Sequence, residues 1–264
     1  MLVRKFERNS QGRDFVVGDI HGAFDLLVNA LNLVEFNPDV DRLFLVGDLV
    51  DRGRYSKVAK DFLSQPWVHS TRGNHEQLFL SLFANGKPSA NELAWHVERN
   101  GLGWVTELTQ DEIAEFCRLF SALPFAIEVE TVRGSVGLVH AEVPVGMDWA
   151  TFLRRISEGD EQVIQSAIWG RTRAKQEIVS GVLGVDRLFA GHTPQAQGAK
   201  RFGNCYIVDT AAVFGSAHGP TEGHLSLANM TCTTEVLVSP ASQKSLVEIF
   251  NIPSNRPFGY YASN

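Results

Sequence analysis

Residues Phe15–Phe24 read FVVGDIHGAF. Phe15, Val16 and Val17 make an apolar run that predicts a buried strand, and the run gives way to two glycines enclosing Asp19 and His21. A core strand has no packing use for a carboxylate and an imidazole at its end. In extended chain, residues two apart point the same way, so Asp19 and His21 are expected to face one ion.

The same arrangement recurs along the chain. RLFLVG (Arg42–Gly47) leads into Asp48, Asp51 and Arg52 of GDLVDRG, and WVHSTRG (Trp67–Gly73) leads into Asn74, His75 and Glu76 of GNHE. Further on, SVGLVH ends at His140 and RLFAG leads into His192. FAIEVE (Phe125–Glu130), CYIVD (Cys205–Asp209) and HLSLANM (His224–Met230) complete the predicted strands. AFDLLVNALNLV, YSKVAKDFLS and HEQLFLSLFA lie between the early strands, and the first has apolar residues at helical spacing. Alternating strands and helices indicate an α/β fold. In open α/β sheets ligands bind outside the carboxyl ends of strands, which gathers all these polar residues toward a single site.

Carboxylate, imidazole and amide donors without a thiolate suit manganese, iron, zinc or magnesium. Asp19, His21, Asp48, Asn74, His140 and His192 are more donors than one ion in an open site needs. Two ions bridged by one carboxylate would use them all. Such pairs sit about 3.5–4 Å apart and polarise a water for in-line attack at phosphorus.

Composition narrows the alternatives. With 44% hydrophobic and 20% charged residues in 264, the chain has an ordinary globular profile. A formal net charge of −6 leaves no basic surplus for a nucleic-acid backbone, so no such partner is expected. Cys117, Cys205 and Cys232 are far apart and form no CxxC pair, which argues against a disulfide framework or a thiolate zinc site. MLVRKFERNSQGRDF lacks an apolar leader core, and no run approaches a membrane span. A reduced, cytoplasmic protein is expected. NELAWHVERN and QDEIAEFCRLFSAL, joined by GLGW, read as a helical cap over about 85–122 within a single domain spanning 1–264. The catalytic core is expected over about 14–230, with a weakly patterned tail over 231–264.

Together, GDIHG, GDLVDRG, GNHE, HAE and GHT resemble the signature blocks of the metallophosphoesterases. More narrowly they resemble the PPP-type serine/threonine protein phosphatases, in the bacterial and phage branch typified by the phage lambda enzyme; FLSQPWVHSTRGNHEQ, ERNGLGW and VDTAAVFG extend the likeness. The resemblance implies a two-sheet β-sandwich flanked by helices, a dinuclear centre often holding manganese, and a phosphorylated protein or peptide as substrate. It implies that Asp19, His21 and the bridging Asp48 bind one ion, and that Asp48, Asn74, His140 and His192 bind the other. His75 would be the general acid, oriented by Asp51, and Arg52 and Arg171 would clamp the phosphate. Phosphotyrosine and phosphohistidine also suit an open site of this kind. The alternative on the same scaffold is a dinucleoside polyphosphate hydrolase. Relatives of that type typically read GNHD and lack the aspartate of DRG, whereas this chain has Glu76 and Asp51.

Two departures stand out against the resemblance. His140-Ala141-Glu142 replaces the usual His-Ala-Asp, and Asp209-Thr210-Ala211 replaces Asp-Thr-Gly. Alanine tolerates positive φ poorly, so a changed loop is expected there. Of the remaining histidines, His69, His96 and His224 are expected to be structural, and His218 to be a minor substrate contact. Trp95, Trp104 and Phe116 read as cap core. Glu76 reads as a residue that orients its neighbours.

Overall fold

The computed structural model describes residues 1–214, 223–231 and 248–253. The chain opens with β1 (Val3–Phe6), β2 (Asp14–Val17), α1 (Phe24–Leu33), β3 (Arg42–Leu45), α2 (Ala59–Leu63), β4 (Val68–Ser70) and α3 (Asn74–Phe83). Two helices follow with no strand between them, α4 (Ala90–Asn100) and α5 (Gln110–Ala122), joined through a 3₁₀ turn over Leu102–Glu107. The hairpin β5 (Ala126–Thr131) and β6 (Gly134–Val139) comes next, then α6 (Trp149–Ser157), α7 (Glu161–Trp169) and the short α8 (Thr172–Lys175). The last elements are β7 (Arg187–Ala190), β8 (Lys200–Phe202), β9 (Cys205–Ile207), β10 (His224–Asn229) and β11 (Glu248–Pro253).

These strands make two sheets, ordered β1-β5-β6-β7-β9-β8 and β11-β10-β2-β3-β4. In the second sheet β2, β3 and β4 run parallel, and β10 closes against β2 antiparallel. The first sheet is mixed: β6, β7 and β9 are parallel, and the β5–β6 hairpin is antiparallel.

Side-chain alternation explains why the early strands are apolar without a break. Phe15 and Val17 pack outward on the helical side with Leu43 and Leu45, while Val16 and Phe44 face the other sheet. That inter-sheet layer also takes Ile127, Val136, Leu138 and Phe189. Strands covered on both faces must be apolar on both. On the outer face of the first sheet, Trp149, Phe152 and Ile156 of α6 form a third core layer with Val139 and Leu188. Helix, sheet, sheet and helix thus stack in four layers, with the carboxyl ends of β2, β3, β6 and β7 opening toward shared loops.

Three strands lie outside the sequence expectations. β1 and β8 are short edge strands with exposed charged residues, VRKF and KRF, and they carry no apolar run. β11 falls in the segment expected to be an unpatterned tail, and it pairs with β10 along its full length. The region 149–175, to which the sequence assigns no named element, forms α6, α7 and α8. Among the described residues no helix is long and apolar enough to cross a membrane. His218 and most of the segment after Thr231 lie outside the described residues.

Candidate active site

Five loops converge. The loop after β2 is tied to the loop after β3 through Asp48 O, which accepts the Ile20 and His21 N–H groups at 3.1 and 2.9 Å. The loop after β3 is tied in turn to the start of α3. The buried Glu76 carboxylate accepts N–H groups from Asp48, Leu49 and Gly73 at 2.9, 2.8 and 2.8 Å, and Asp48 Oδ1 accepts the His75 N–H at 3.0 Å. On the far side, the Asp19 carboxylate accepts the His192 N–H at 3.0–3.2 Å. Every expected ligand is buried, none above 4% exposed.

Hydrogen-bond logic fixes the His140 tautomer on one side of Asp48. His140 Nδ1 lies 2.8 Å from Val46 O, and a carbonyl only accepts, so that nitrogen carries the hydrogen. Burial holds the His140 pKa below the usual histidine value. The ring is therefore neutral, with a lone pair on Nε2. That lone pair meets Asn74 Oδ1 at 2.9 Å, His192 Nδ1 at 3.2 Å and Asp48 Oδ1 at 3.4 Å. Burial and the neighbouring His140 also push the His192 pKa down to about 3. The His140 Nε2 lone pair, Asn74 Oδ1 and Asp48 Oδ1 thus converge out of water beside the His192 ring, and a cation is what such a set accommodates. Asp48, His140 and His192 have the spacing of a metal site, their ligand atoms all within 4.8 Å of one another.

A second such group lies on the other side of Asp48: His21, Asp48 and His75. His21 Nδ1 donates to Val50 O at 2.9 Å, leaving Nε2 as a lone pair 3.4 Å from Asp48 Oδ2. Burial and the adjacent Arg52 hold the His21 pKa well below the usual value. Asp19 is not in this group, although the sequence pairs it with His21. His21 takes φ 45°, and the Asp19 carboxylate is engaged by the His192 N–H. Burial, then Asp209 and then Asp48 raise the Asp19 pKa well above the ordinary carboxylate value. Asp19 is therefore one of several buried acids crowded together.

His75 differs from the other rings. Its Nδ1 lies 2.6 Å from Asp51 Oδ2, and its Nε2 lies 3.9 Å from Asp48 Oδ2 and 2.9 Å from Arg52 Nη2. Burial alone would lower its pKa, but the Asp48 and Asp51 carboxylates outweigh that and raise it. Arg52 spans the group, touching both His21 Nε2 and His75 Nε2. Arg171 caps the start of α8 with its Nη1 3.5 Å from Thr193 Oγ1, next to His192 in sequence.

A family model for the calcineurin-like phosphoesterases matches residues 15–204. The chain belongs to that family. This phosphoesterase is 31% identical over 233 residues to serine/threonine-protein phosphatase 1 of Salmonella typhimurium, an alignment covering 87% of this chain and 97% of that one. It is 32% identical over 152 residues to the symmetrical bis(5'-nucleosyl)-tetraphosphatase of Legionella pneumophila, covering 56% of this chain and 52% of the other. Among solved structures, a protein serine/threonine phosphatase from Saccharomyces cerevisiae superposes with a TM-score of 0.61 at 16% identity, over 95% of this chain and 83% of that one. The two-sheet architecture is the one the sequence motifs imply, and the relatives place the phosphoesterase in the PPP-type bacterial branch.

Backbone strain is concentrated at the site. Of eight non-glycine residues with positive φ among the described residues, six are His21, Asp48, Asp51, Arg52, His192 and Ala211. Each costs roughly 1–2 kcal/mol against a right-handed or extended conformation, and strain of this kind gathers where a fold holds functional groups. Ala211 answers the expectation about the Asp209-Thr210-Ala211 loop: it takes φ 64° despite its side chain, and its N–H donates to Asp209 Oδ1 at 3.0 Å. Ala211→Gly is therefore expected to raise stability by about 1 kcal/mol, which is about 2–4 °C in Tm for a domain of this size. Thermal unfolding followed by circular dichroism checks it, and an unchanged or lower Tm would contradict it.

The other departure also has a structural role. Glu142 is buried, and its Oε2 accepts the Arg173 N–H at 2.8 Å, which anchors the turn that carries Arg171. Two residues near the site were not assigned to it from sequence. Asp209 closes the CYIVD run as Asp19 closes its own strand, a signal that was available; burial and Asp48 raise its pKa to about 6. Trp104, read as cap core, donates its indole N–H to Asp51 Oδ1 at 2.7 Å.

Proposed function

We propose that this phosphoesterase is a phosphoprotein phosphatase of the cytoplasm, acting on phosphoserine and phosphothreonine with two divalent ions, manganese foremost and iron, zinc or magnesium as alternatives. Asp48 would be shared, with Asp19 and His21 on one side and Asn74, His140 and His192 on the other. The donor set fits: Asp48 belongs to both three-residue groups, and the His21 and His140 rings present lone pairs inward. His75 Nδ1 is engaged by Asp51 at 2.6 Å, and its Nε2 lies 3.9 Å from Asp48 Oδ2, farther than His21 Nε2 at 3.4 Å. That favours Asp19 over His75 as the remaining ligand. When bound, the ions supply positive charge at the phosphate and a water acidic enough to attack it.

The chain's own residues do the rest. Arg52 and Arg171 approach from the two sides of Asp48, and a guanidinium fork matches phosphate oxygens. A phosphate would draw Arg52 away from the two imidazoles it bridges. His75 keeps a hydrogen on Nδ1 toward Asp51, so its Nε2–H is the proton available to the leaving alkoxide.

The observation that carries this reading is the 2.6 Å contact of Asp51 with His75 beside the Asp48-centred donors. A proton donor matters most when the leaving group is an alkoxide, as it is in phosphoserine. The relative named a serine/threonine phosphatase, aligned over nearly its full length, supports the same substrate class. The relative named a tetraphosphatase supports a second reading, a dinucleoside polyphosphate hydrolase, over a shorter alignment. Comparing kcat/KM on a phosphoserine peptide and on diadenosine tetraphosphate separates them. The peptide is expected to be preferred, and preference for the dinucleotide would transfer the assignment.

A further inference from the structure

Asp51 and Arg52 are consecutive residues in left-handed backbone, with φ 73° and 65°. Neither is glycine, so the turn is not self-supporting, yet it presents both the carboxylate on His75 and the guanidinium at the site. Support comes from the helical segment between α3 and β5. Gly101, the left-handed C-cap of α4, accepts the Arg52 N–H at 2.9 Å through its carbonyl. Three residues on, Trp104 donates its indole N–H to Asp51 Oδ1 at 2.7 Å. The two contacts grip adjacent residues, one by the backbone and one by the side chain.

The approach at Gly101 is close enough to exclude a side chain. A Cβ there would lie 2.6 Å from Arg52 N and 2.8 Å from Arg52 Cα, backbone atoms that cannot swing away. Trp104 is itself fixed. Its ring stacks on Phe79 at 5.7 Å and 16°, and meets Phe116 edge-on at 4.9 Å. Phe79 sits on α3, the helix that begins with Asn74 and His75. One indole is thus packed against the helix bearing His75 and hydrogen-bonded to the acid that orients it. Asp51 is fully buried and divides its oxygens, Oδ2 to His75 and Oδ1 to Trp104. Without the indole N–H, Oδ1 would lose that donor and the carboxylate plane one of its two directed bonds.

We propose that the Gly101–Trp104 turn is a brace for the Asp51–Arg52 loop, and that Trp104 is a positioning residue that sets the Asp51 carboxylate, and through it the His75 ring, for proton donation. This rests on the reading of His75 as the proton donor. It gives the helical segment a part in the chemistry that a purely structural cap would lack.

The distinguishing readout is leaving-group dependence. An alkoxide leaving group needs the proton and p-nitrophenolate hardly does, so a displaced donor harms the first reaction and spares the second. A loosened fold or a lost metal harms both. Trp104→Phe in the full-length, manganese-loaded enzyme is expected to lower kcat on a phosphoserine peptide by about tenfold or more, within the range a general acid contributes. Turnover of p-nitrophenyl phosphate and KM for the peptide should stay close to wild type. Should Trp104→Phe fail to fold, benzothienylalanine at position 104 keeps the ring's shape and removes only the N–H, and the same split is expected. In an Asp51→Ala background, Trp104→Phe should add no further selectivity between the two substrates. Equal losses on both substrates, no loss on either, or additive effects with Asp51→Ala would each overturn the brace. His75→Asn is run in parallel. If it shows the split and the Trp104 variants do not, the brace alone falls; if it shows no split, the proton-donor reading falls and takes the brace with it.

Discussion

His75→Asn is expected to lower kcat on a phosphoserine peptide by about 10²–10⁴-fold, the range a positioned acid supplies. Asparagine can still reach Asp51 with an amide hydrogen, but it has no proton acidic enough to hand to an alkoxide. The wild-type ring is suited to the task by opposing influences. Burial disfavours its charged form, while Asp48 and Asp51 favour it more strongly, and the net effect is a raised pKa. Asp51, which is assigned to neither ion, keeps favouring the imidazolium, and the acid-dependent part of the rate is lost as pH rises through the His75 pKa. Metal content of His75→Asn, measured by elemental analysis, should match wild type. Loss of an ion in that variant would make His75 a ligand, a role its place beside His21 and Asp48 permits.

Stripping divalent ions is expected to abolish hydrolysis of p-nitrophenyl phosphate and to lower Tm, with both restored by manganese. The stability effect follows from the charges. Asp19, Asp48 and Asp209 are all buried; Asp209 and Asp48 make Asp19 harder to ionise, and Asp48 does the same to Asp209. A cation among them relieves that repulsion in the folded state and has no comparable site in the unfolded chain. An ion present at a hundred times its Kd adds about 2.7 kcal/mol, or about 5–10 °C at the slope usual for this size. Asp48→Asn removes the one carboxylate common to both groups, so its Tm should no longer respond to manganese. Turnover that survived a chelator, or a Tm indifferent to the ion in wild type, would contradict a metal-dependent site.

Legibility in the sequence followed burial. β2 and β3 are covered on both faces, so FVV (Phe15–Val17) and LFL (Leu43–Leu45) have to be apolar without interruption and stand out. β1 lies at a sheet edge, where VRKF can satisfy one neighbour and still face water. The strand-end motifs point to one candidate site because a fold of this kind delivers loops to one edge. What spacing could not supply was the local backbone. Asp19 and His21 are paired on the premise of extended chain, and His21 in fact takes φ 45°. Trp104 was hidden for a different reason: nothing adjacent to it in sequence marks a partner 53 positions away, and an indole amid aromatic residues looks like packing.

The left-handed residues also set how freely the site can vary. At His21, Asp48, Asp51, Arg52 and His192 the backbone favours glycine while the proposed chemistry demands a particular side chain, so relief of one requirement forfeits the other. Ala211 alone among the six carries a side chain with no assigned task. A lineage under pressure for heat tolerance therefore has one unencumbered exit in these loops, and its remaining gains must come from the layers beneath them.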